Sequence, residues 1–265
     1  MTDPATRPLL YRLDGPVCTL TLNRPEARNA LSDELLEGLL EGLERAREDS
    51  AARVIVLAAN GPAFSAGHDL KQMVPHWADG DGGQDYFAGL LGACARVMQA
   101  IVRCPKPVIA QVHGIATAAG CQLVASCDLA IAGESARFAT PGVNIGLFCS
   151  TPMVALSRNV ARKHALEMLL TGDMISASRA AEMGLVNRVV PDAELGDAVM
   201  AMARHVASRS AVSIRIGKEA FYRQLELGLT DAYAFASGVM TRNMLEAEAR
   251  EGIGAFLEKR PPRWE

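Results

Sequence analysis

Two stretches of this sequence join small residues to a preceding apolar run and a helix-like start: Phe64-Ser65-Ala66-Gly67-His68-Asp69-Leu70 and Gly114-Ile115-Ala116-Thr117-Ala118-Ala119-Gly120-Cys121. The first amides of a helix lack intrahelical acceptors and carry the positive end of its dipole, so a ligand oxygen brought there accepts hydrogen bonds from backbone. Small side chains matter because a bulky one holds the oxygen away. Two such donors converging on one carbonyl form an oxyanion hole, which stabilises negative charge developing on that oxygen. Alanine and glycine also let elements pack closely, and spacing alone leaves both readings open.

Side chains able to titrate or attack are sparse around these turns. The His68 imidazole is open to a solvated, structural or substrate-facing role, and Asp69 suits a helix cap better than a general base. Cys149, within Leu147-Phe148-Cys149-Ser150, needs a nearby base to act as a nucleophile, and the sequence supplies none. It is expected to be a buried, inert thiol, as are Cys18, Cys94, Cys104, Cys121 and Cys127, which form no C-x-x-C pair. The histidines at 68, 76, 113, 164 and 205 are dispersed, so no metal site is expected. Motifs for dinucleotides, nucleotide phosphates, catalytic zinc and the serine-hydrolase elbow are absent.

The elements that must position these turns alternate between strand and helix. Residues 9–13 and 17–22 flank Asp14-Gly15 as a hairpin. Ser32 can cap a helix in which Leu35, Leu36, Leu39, Leu40 and Leu43 recur at helical spacing. Apolar runs at 54–58, 107–112 and 128–132 read as buried strands, with another at 185–190. Residues 74–84, with Gly80, Gly82 and Gly83 beside Asp79 and Asp81, suit a mobile loop before a helix over about 86–103. Beyond Ser150 helical periodicity dominates. This pattern predicts an α/β fold, with a core over residues 1–192 and a helical region over 193–265.

The chain has 265 residues, 49% hydrophobic and 22% charged, enough to bury a sizeable core and too ordered in composition for a disordered chain. A net charge of −3 gives no global basic field, so neither nucleic acid nor an anionic membrane surface is an expected partner. Apolar runs fall short of a membrane span, and the opening residues reach strand-like sequence without a leader pattern, so a cytoplasmic location is expected.

Residues 64–73 (FSAGHDLKQM), 106–128 (KPVIAQVHGIATAAGCQLVASCD), 171–177 (TGDMISA) and 251–260 (EGIGAFLEKR) resemble the enoyl-CoA hydratase/isomerase, or crotonase, superfamily, in order over nearly the whole chain. The segments ATAAGCQLVASCD and 138–144 followed by GLFCSTP look most like its branch called enoyl-CoA hydratase domain-containing protein 3. The resemblance implies a spiral of ββα units and a helical C-terminal region that builds trimers, often paired into hexamers. It implies an enzyme whose ligand is an acyl-CoA, with coenzyme A present only as part of the substrate and no separate cofactor. The thioester carbonyl would be polarised by the amides of His68 and Ala119, the latter usually a glycine. Ala66, Asp69 and Leu70 fall in the stretch that holds adenine, Arg24 and Lys71 near the CoA moiety, and Phe256 and Lys259 at its nucleotide end, sometimes in a neighbouring subunit.

Hydratases of this family use two glutamates to activate water and deliver a proton. Here those positions match Gln122 and Gly142. Neither can shuttle a proton, so hydratase activity is expected to be weak or absent, and an isomerase relying on the second carboxylate is disfavoured too. The remaining polar groups are Gln122, Asn144, Ser150 and Thr151. Two classes fit: a CoA-thioester enzyme that stabilises an enolate without a strong acid/base pair, for instance by decarboxylation or thioester cleavage, and an acyl-CoA-binding protein without turnover.

Overall fold

The computed structural model describes residues 7–264. Its first element is the expected hairpin, in which β1 (Leu9–Asp14) and β2 (Val17–Leu22) pair antiparallel from Leu9 opposite Leu22 to Asp14 opposite Val17. Ser32 caps α1 (Asp33–Glu48) by accepting from the Leu35 amide, and the helix buries Leu35, Leu36, Leu39 and Leu43. The apolar runs become β3 (Val54–Ala59), β4 (Val108–Val112) and β6 (Leu129–Gly133). With β9 (Arg188–Val190) they form a six-stranded sheet ordered β1-β2-β3-β4-β6-β9, parallel beyond the hairpin. Alternation along β3 divides the core: Ile55 and Leu57 join the side covered by α1 and α3 (Gln84–Arg103), while Val54, Val56 and Ala58 meet Leu195, Val199 and Ala203 of α8 (Leu195–Ala207).

A smaller sheet positions the candidate chemistry. After β4 the chain turns into β5 (Ile115–Thr117) and then α4 (Ala119–Ser126); after β6 it turns into β7 (Arg137–Ala139), a 3-10 turn (Pro141–Ile145) and α5 (Ser150–Asn159). These are successive ββα units, as expected, and β8 (Ile175–Ser176) completes the order β5-β7-β8. Ser65, downstream of β3, bridges Ala116 in parallel, and Ala116 lies opposite Phe138. Three strand-to-helix turns, carrying His68, Ala119 and Gly142, therefore lie in lateral register.

Some expectations are corrected. Residues 74–84 are not an irregular loop: Val74–Ala78 is a 3-10 turn, and the Asp81 carboxylate accepts from the Gly83 and Asp85 amides, starting α3 at Gln84. Of the strand expected at 185–190 only Arg188–Val190 pairs, because Leu185 and Val186 are buried in the core instead. All six cysteines are buried and unpaired. No described helix is long and apolar enough to cross a membrane.

Helices α6 (Arg162–Thr171) and α7 (Ala177–Glu182) lead to β9, and α9 (Ala211–Gln224), α10 (Leu229–Leu245) and α11 (Ala247–Leu257) follow α8. A buried pin fastens α9 to the strands. Lys218 Nζ donates to Ile101 O and Lys106 O, both at 3.0 Å, and to Asp128 Oδ2 at 2.6 Å. Asp128 also accepts from Tyr222 OH at 2.8 Å and Val108 N at 2.7 Å. Burial, then the neighbouring carboxylate, pushes the Tyr222 pKa up and keeps its hydroxyl a donor. Removing one partner of a buried ion pair leaves the other uncompensated. Lys218→Met is expected to lower unfolding free energy by about 3 kcal/mol in denaturant titration at fixed protein concentration. Arg47→Met, at the exposed Glu44 pair, should leave the midpoint unchanged.

Candidate active site

Leu31 sets the first turn. Its amide donates to Gly67 O at 2.7 Å and its carbonyl accepts from Asp69 N at 3.2 Å, so the His68 amide between them is turned away from Leu31. Among the described residues neither His68 N–H nor Ala119 N–H donates to a protein acceptor. The two turns are in contact. A Cβ at Gly67, where φ is +89°, would lie 2.9 Å from Ala118 Cβ and 3.3 Å from the Ala119 nitrogen, so glycine is needed for this approach. Ala118 N donates to Ala139 O at 2.9 Å, which ties the start of α4 to the end of β7. Ala118 itself adopts φ 49° and ψ −119°, a conformation that side chains disfavour, directly before the free Ala119 amide.

Asn29, fully buried beneath these turns, was not legible as a site residue. Its Nδ2 donates to Asn60 O and Ala63 O, both at 2.8 Å, its Oδ1 accepts from Arg24 N at 2.8 Å, and its carbonyl accepts from Ser65 Oγ at 2.8 Å. The Arg24 guanidinium donates to Ala30 O at 2.6 Å and Asp69 Oδ2 at 3.0 Å. Asp69 Oδ1 accepts from the Lys71 amide at 3.2 Å and caps α2 (Leu70–Met73), the role expected of it. Arg24 is thus engaged in holding the His68 turn. Ala66, Leu70 and Lys71 are exposed on that turn, open to a ligand. Phe256 lies in the last turn of α11 and Lys259 two residues beyond its end, on a helix that packs against α9 and α10; no hydrogen bond joins them to the turns among the described residues.

The side chains beside the donors are uncharged. Gln122, 5% exposed on α4, has a buried Oε1 with no hydrogen-bond partner, and Thr140, 1% exposed, has an equally unpartnered Oγ1. Both His68 ring nitrogens are buried and unpartnered, and burial lowers the imidazole pKa, favouring the neutral ring. The solvated alternative for this ring is thereby excluded. Sequence reading missed Thr140, because a hydroxyl before Pro141 reads as an ordinary turn residue. At Gly142 a Cβ would lie 2.7 Å from Leu147 O, 2.9 Å from Cys149 Sγ and 3.3 Å from Cys149 N, so the loop after this turn fills the space of a side chain. Burial raises the Cys149 pKa, with the Gly142 amide opposing, which fits an inert thiol. Asn144 and Ser150 are exposed, and Thr151 is partly buried.

The Enoyl-CoA hydratase/isomerase family model matches residues 12–265. The Homo sapiens protein named enoyl-CoA hydratase domain-containing protein 3, mitochondrial, is 48% identical over 253 residues, covering 96% of this chain and 82% of that protein. The crystal structure of an enoyl-CoA hydratase from Mycobacterium smegmatis matches at TM-score 0.92 and 52% identity, over 97% of this chain and 98% of that one. That of human enoyl-CoA hydratase domain-containing protein 3 matches at TM-score 0.92 and 47% identity, over 97% and 100%. These matches bear out the resemblance in both superfamily and branch. The expected cytoplasmic location is overturned: relatives from Homo sapiens, Rattus norvegicus, Xenopus laevis and Mus musculus all carry mitochondrial names.

The strained Ala118 gives a direct test of the turn. Its conformation costs roughly 1–3 kcal/mol, whereas the extra unfolded-state freedom of glycine costs about 0.4–1 kcal/mol. Ala118→Gly is therefore expected to stabilise the chain by about 1 kcal/mol, seen as a higher denaturation midpoint. Gly67→Ala should lower the midpoint, because its new methyl meets Ala118 and a left-handed backbone.

Proposed function

We propose that this chain, which belongs to the enoyl-CoA hydratase/isomerase family, binds an acyl-CoA and polarises its thioester carbonyl between the amides of His68 and Ala119. The observation that carries the reading is the contact between two strand-to-helix turns whose His68 and Ala119 amides have no protein acceptor among the described residues. A thioester enolate carries its charge on the carbonyl oxygen, where such donors act most strongly. Coenzyme A enters as part of the substrate, and no separate cofactor is required.

Hydration needs more than the hole. A positioned acid or base contributes typically 10²- to 10⁴-fold, and neither Gln122 nor Gly142 offers one. The reaction that suits the site forms or discharges an enolate without a strong enzymic acid/base pair. Acyl-CoA binding without turnover is the second reading, supported by the same missing carboxylates.

Residues 193–265 are assigned to assembly, as a trimer or hexamer. Phe221, Tyr233, Met240 and Met244 are exposed on these helices, a surplus that burial against other subunits would relieve. Met200 and Met202 instead pack on the core, and Tyr222 is taken up by Asp128.

Thermal-shift or calorimetric titration should show binding of acetyl-CoA and crotonyl-CoA in preference to the free acids; no binding by either thioester at millimolar concentration would refute the reading. The unmodified chain should hydrate crotonyl-CoA at least about 10⁴-fold more slowly than a hydratase with both glutamates. Gln122→Glu is expected to raise that rate. Gly142→Glu should not, because the new side chain collides with Leu147 O and Cys149 and lowers the unfolding midpoint. Turnover typical of a good hydratase, free of contaminating enzyme, would show that another acid/base group is at work.

A further inference from the structure

Two cavities meet at Glu248, in the first turn of α11. One, of about 420 Å³, is lined by Ala247, Glu248, Glu251, Arg260 and Arg263. The other, of about 260 Å³, has apolar walls from Met240, Met244, Ala249, Ile253 and Trp264, and Glu248 is its single charged residue among the described residues. Trp264 is fixed in that wall: its indole N–H donates to Ser208 O at 2.9 Å, and its ring lies over Gly252, where a Cβ would approach it to 3.1 Å.

The charges of the first cavity divide into engaged and unengaged. Arg260 donates to Glu251 through both terminal nitrogens, at 2.7 and 3.0 Å, and through Nε to Glu258 at 2.6 Å. Glu251 also accepts from the Arg263 amide at 2.7 Å. These bonds, the guanidinium's first, hold the Glu251 carboxyl down at about 2, so it stays ionised and occupied. Glu248 is 7% exposed and accepts at Oε2 from the hydroxyl of Ser210, the cap of α9, while its Oε1 has no hydrogen-bond partner among the described residues. The Arg263 guanidinium, exposed on the same cavity, makes no hydrogen bond or ion pair among them either. A nearly buried carboxylate without a countercharge is costly, which marks Glu248 as the place of a cationic donor.

We propose that the joined cavities bind an aliphatic α-amino acid, with its ammonium on Glu248, its carboxylate on Arg263 and its side chain against Met240, Met244 and Ile253. Ammonium, carboxylate and side chain diverge from the α-carbon of an amino acid. Glu248 stands where the two cavities join, the free guanidinium lies in one and the apolar walls in the other. An ammonium supplies three donors to a carboxylate, and a guanidinium takes a carboxylate in a forked pair. A metal ion suits Glu248 less well, because no group of three His, Cys, Asp or Glu able to hold one occurs among the described residues. None of these residues belongs to the thioester turns, so the proposal does not rest on the acyl-CoA reading.

Calorimetric titration of the full chain with L-leucine, isocaproate, isopentylamine and L-glutamate tests the site. L-Leucine should bind, and isocaproate, which lacks the ammonium, and isopentylamine, which lacks the carboxylate, should each bind about 10-fold or more weakly. L-Glutamate should also bind more weakly, because its second carboxylate would enter the apolar cavity. Glu248→Gln, which keeps an acceptor for Ser210, and Arg263→Met, at an exposed position, should each lower leucine affinity about 10-fold. No binding of L-leucine at millimolar concentration overturns the proposal, including the case in which a second copy of this chain fills the groove. So does equal or tighter binding of any of the other three ligands, or undiminished leucine affinity in both folded variants. The comparison among ligands needs only the unmodified chain, so it stands even where a variant fails to fold.

Discussion

The candidate site depends on the lateral register of a very small sheet. Ser65 bridges Ala116, and Ala116 lies opposite Phe138, so three strand-to-helix turns start at the same level. Three residues further along two of these segments stand His68 and Ala119, and four beyond Phe138 stands Gly142. A slip in that register would separate the two amides, because it would break the bonds that tie their turns, Thr117 N to Ser65 O at 3.0 Å and Thr117 Oγ1 to Ala66 O at 3.2 Å. The larger sheet and its two apolar faces keep the register by fixing where each ββα unit leaves β3, β4 and β6. Amides presented by backbone are thus set by topology, and the surrounding side chains are free to differ.

Support for the donors comes from polar groups placed behind them. Asn29 and Arg24 spend their hydrogen-bonding capacity on segments 60–69, holding Ser65 and Asp69 on either side of the His68 turn. Leu31 completes the hold through backbone alone, bonding to Gly67 and Asp69 and leaving the amide between them free. The second turn uses strain: Ala118 departs from ordinary backbone geometry where the chain passes from strand to helix, directly before the Ala119 amide.

Much of this was legible because it rests on periodicity and residue size. The leucine stripe of α1, the alternating hairpin and the apolar runs of β3, β4 and β6 follow from helical and strand spacing. The two small-residue turns were legible for a steric reason, since Gly67 admits no side chain against Ala118. Strands β5, β7 and β8 were not, because two or three residues carry no period and their pairing is fixed by distant chain. Asn29 and Thr140 were hidden likewise: one reads as a loop asparagine, the other as a turn threonine, and only tertiary contacts distinguish a saturated pillar from an unpartnered hydroxyl.

Gln122 and Gly142, the two positions expected to match the hydratase glutamates, differ in their surroundings. Gln122 keeps a buried polar side chain of glutamate-like size whose amide does not titrate. At Gly142 the chain has closed over the position: Leu147 N donates to Gly142 O at 2.9 Å, while Leu147 O and Cys149 Sγ occupy the space of a side chain. Cys149 is buried there, and burial raises its pKa, which keeps the thiol protonated and inert. No cavity of side-chain size is left at Gly142, because backbone of Leu147 and the Cys149 thiol fill it. A proton-shuttling carboxylate at residue 142 therefore has no room unless Leu147 and Cys149 are displaced.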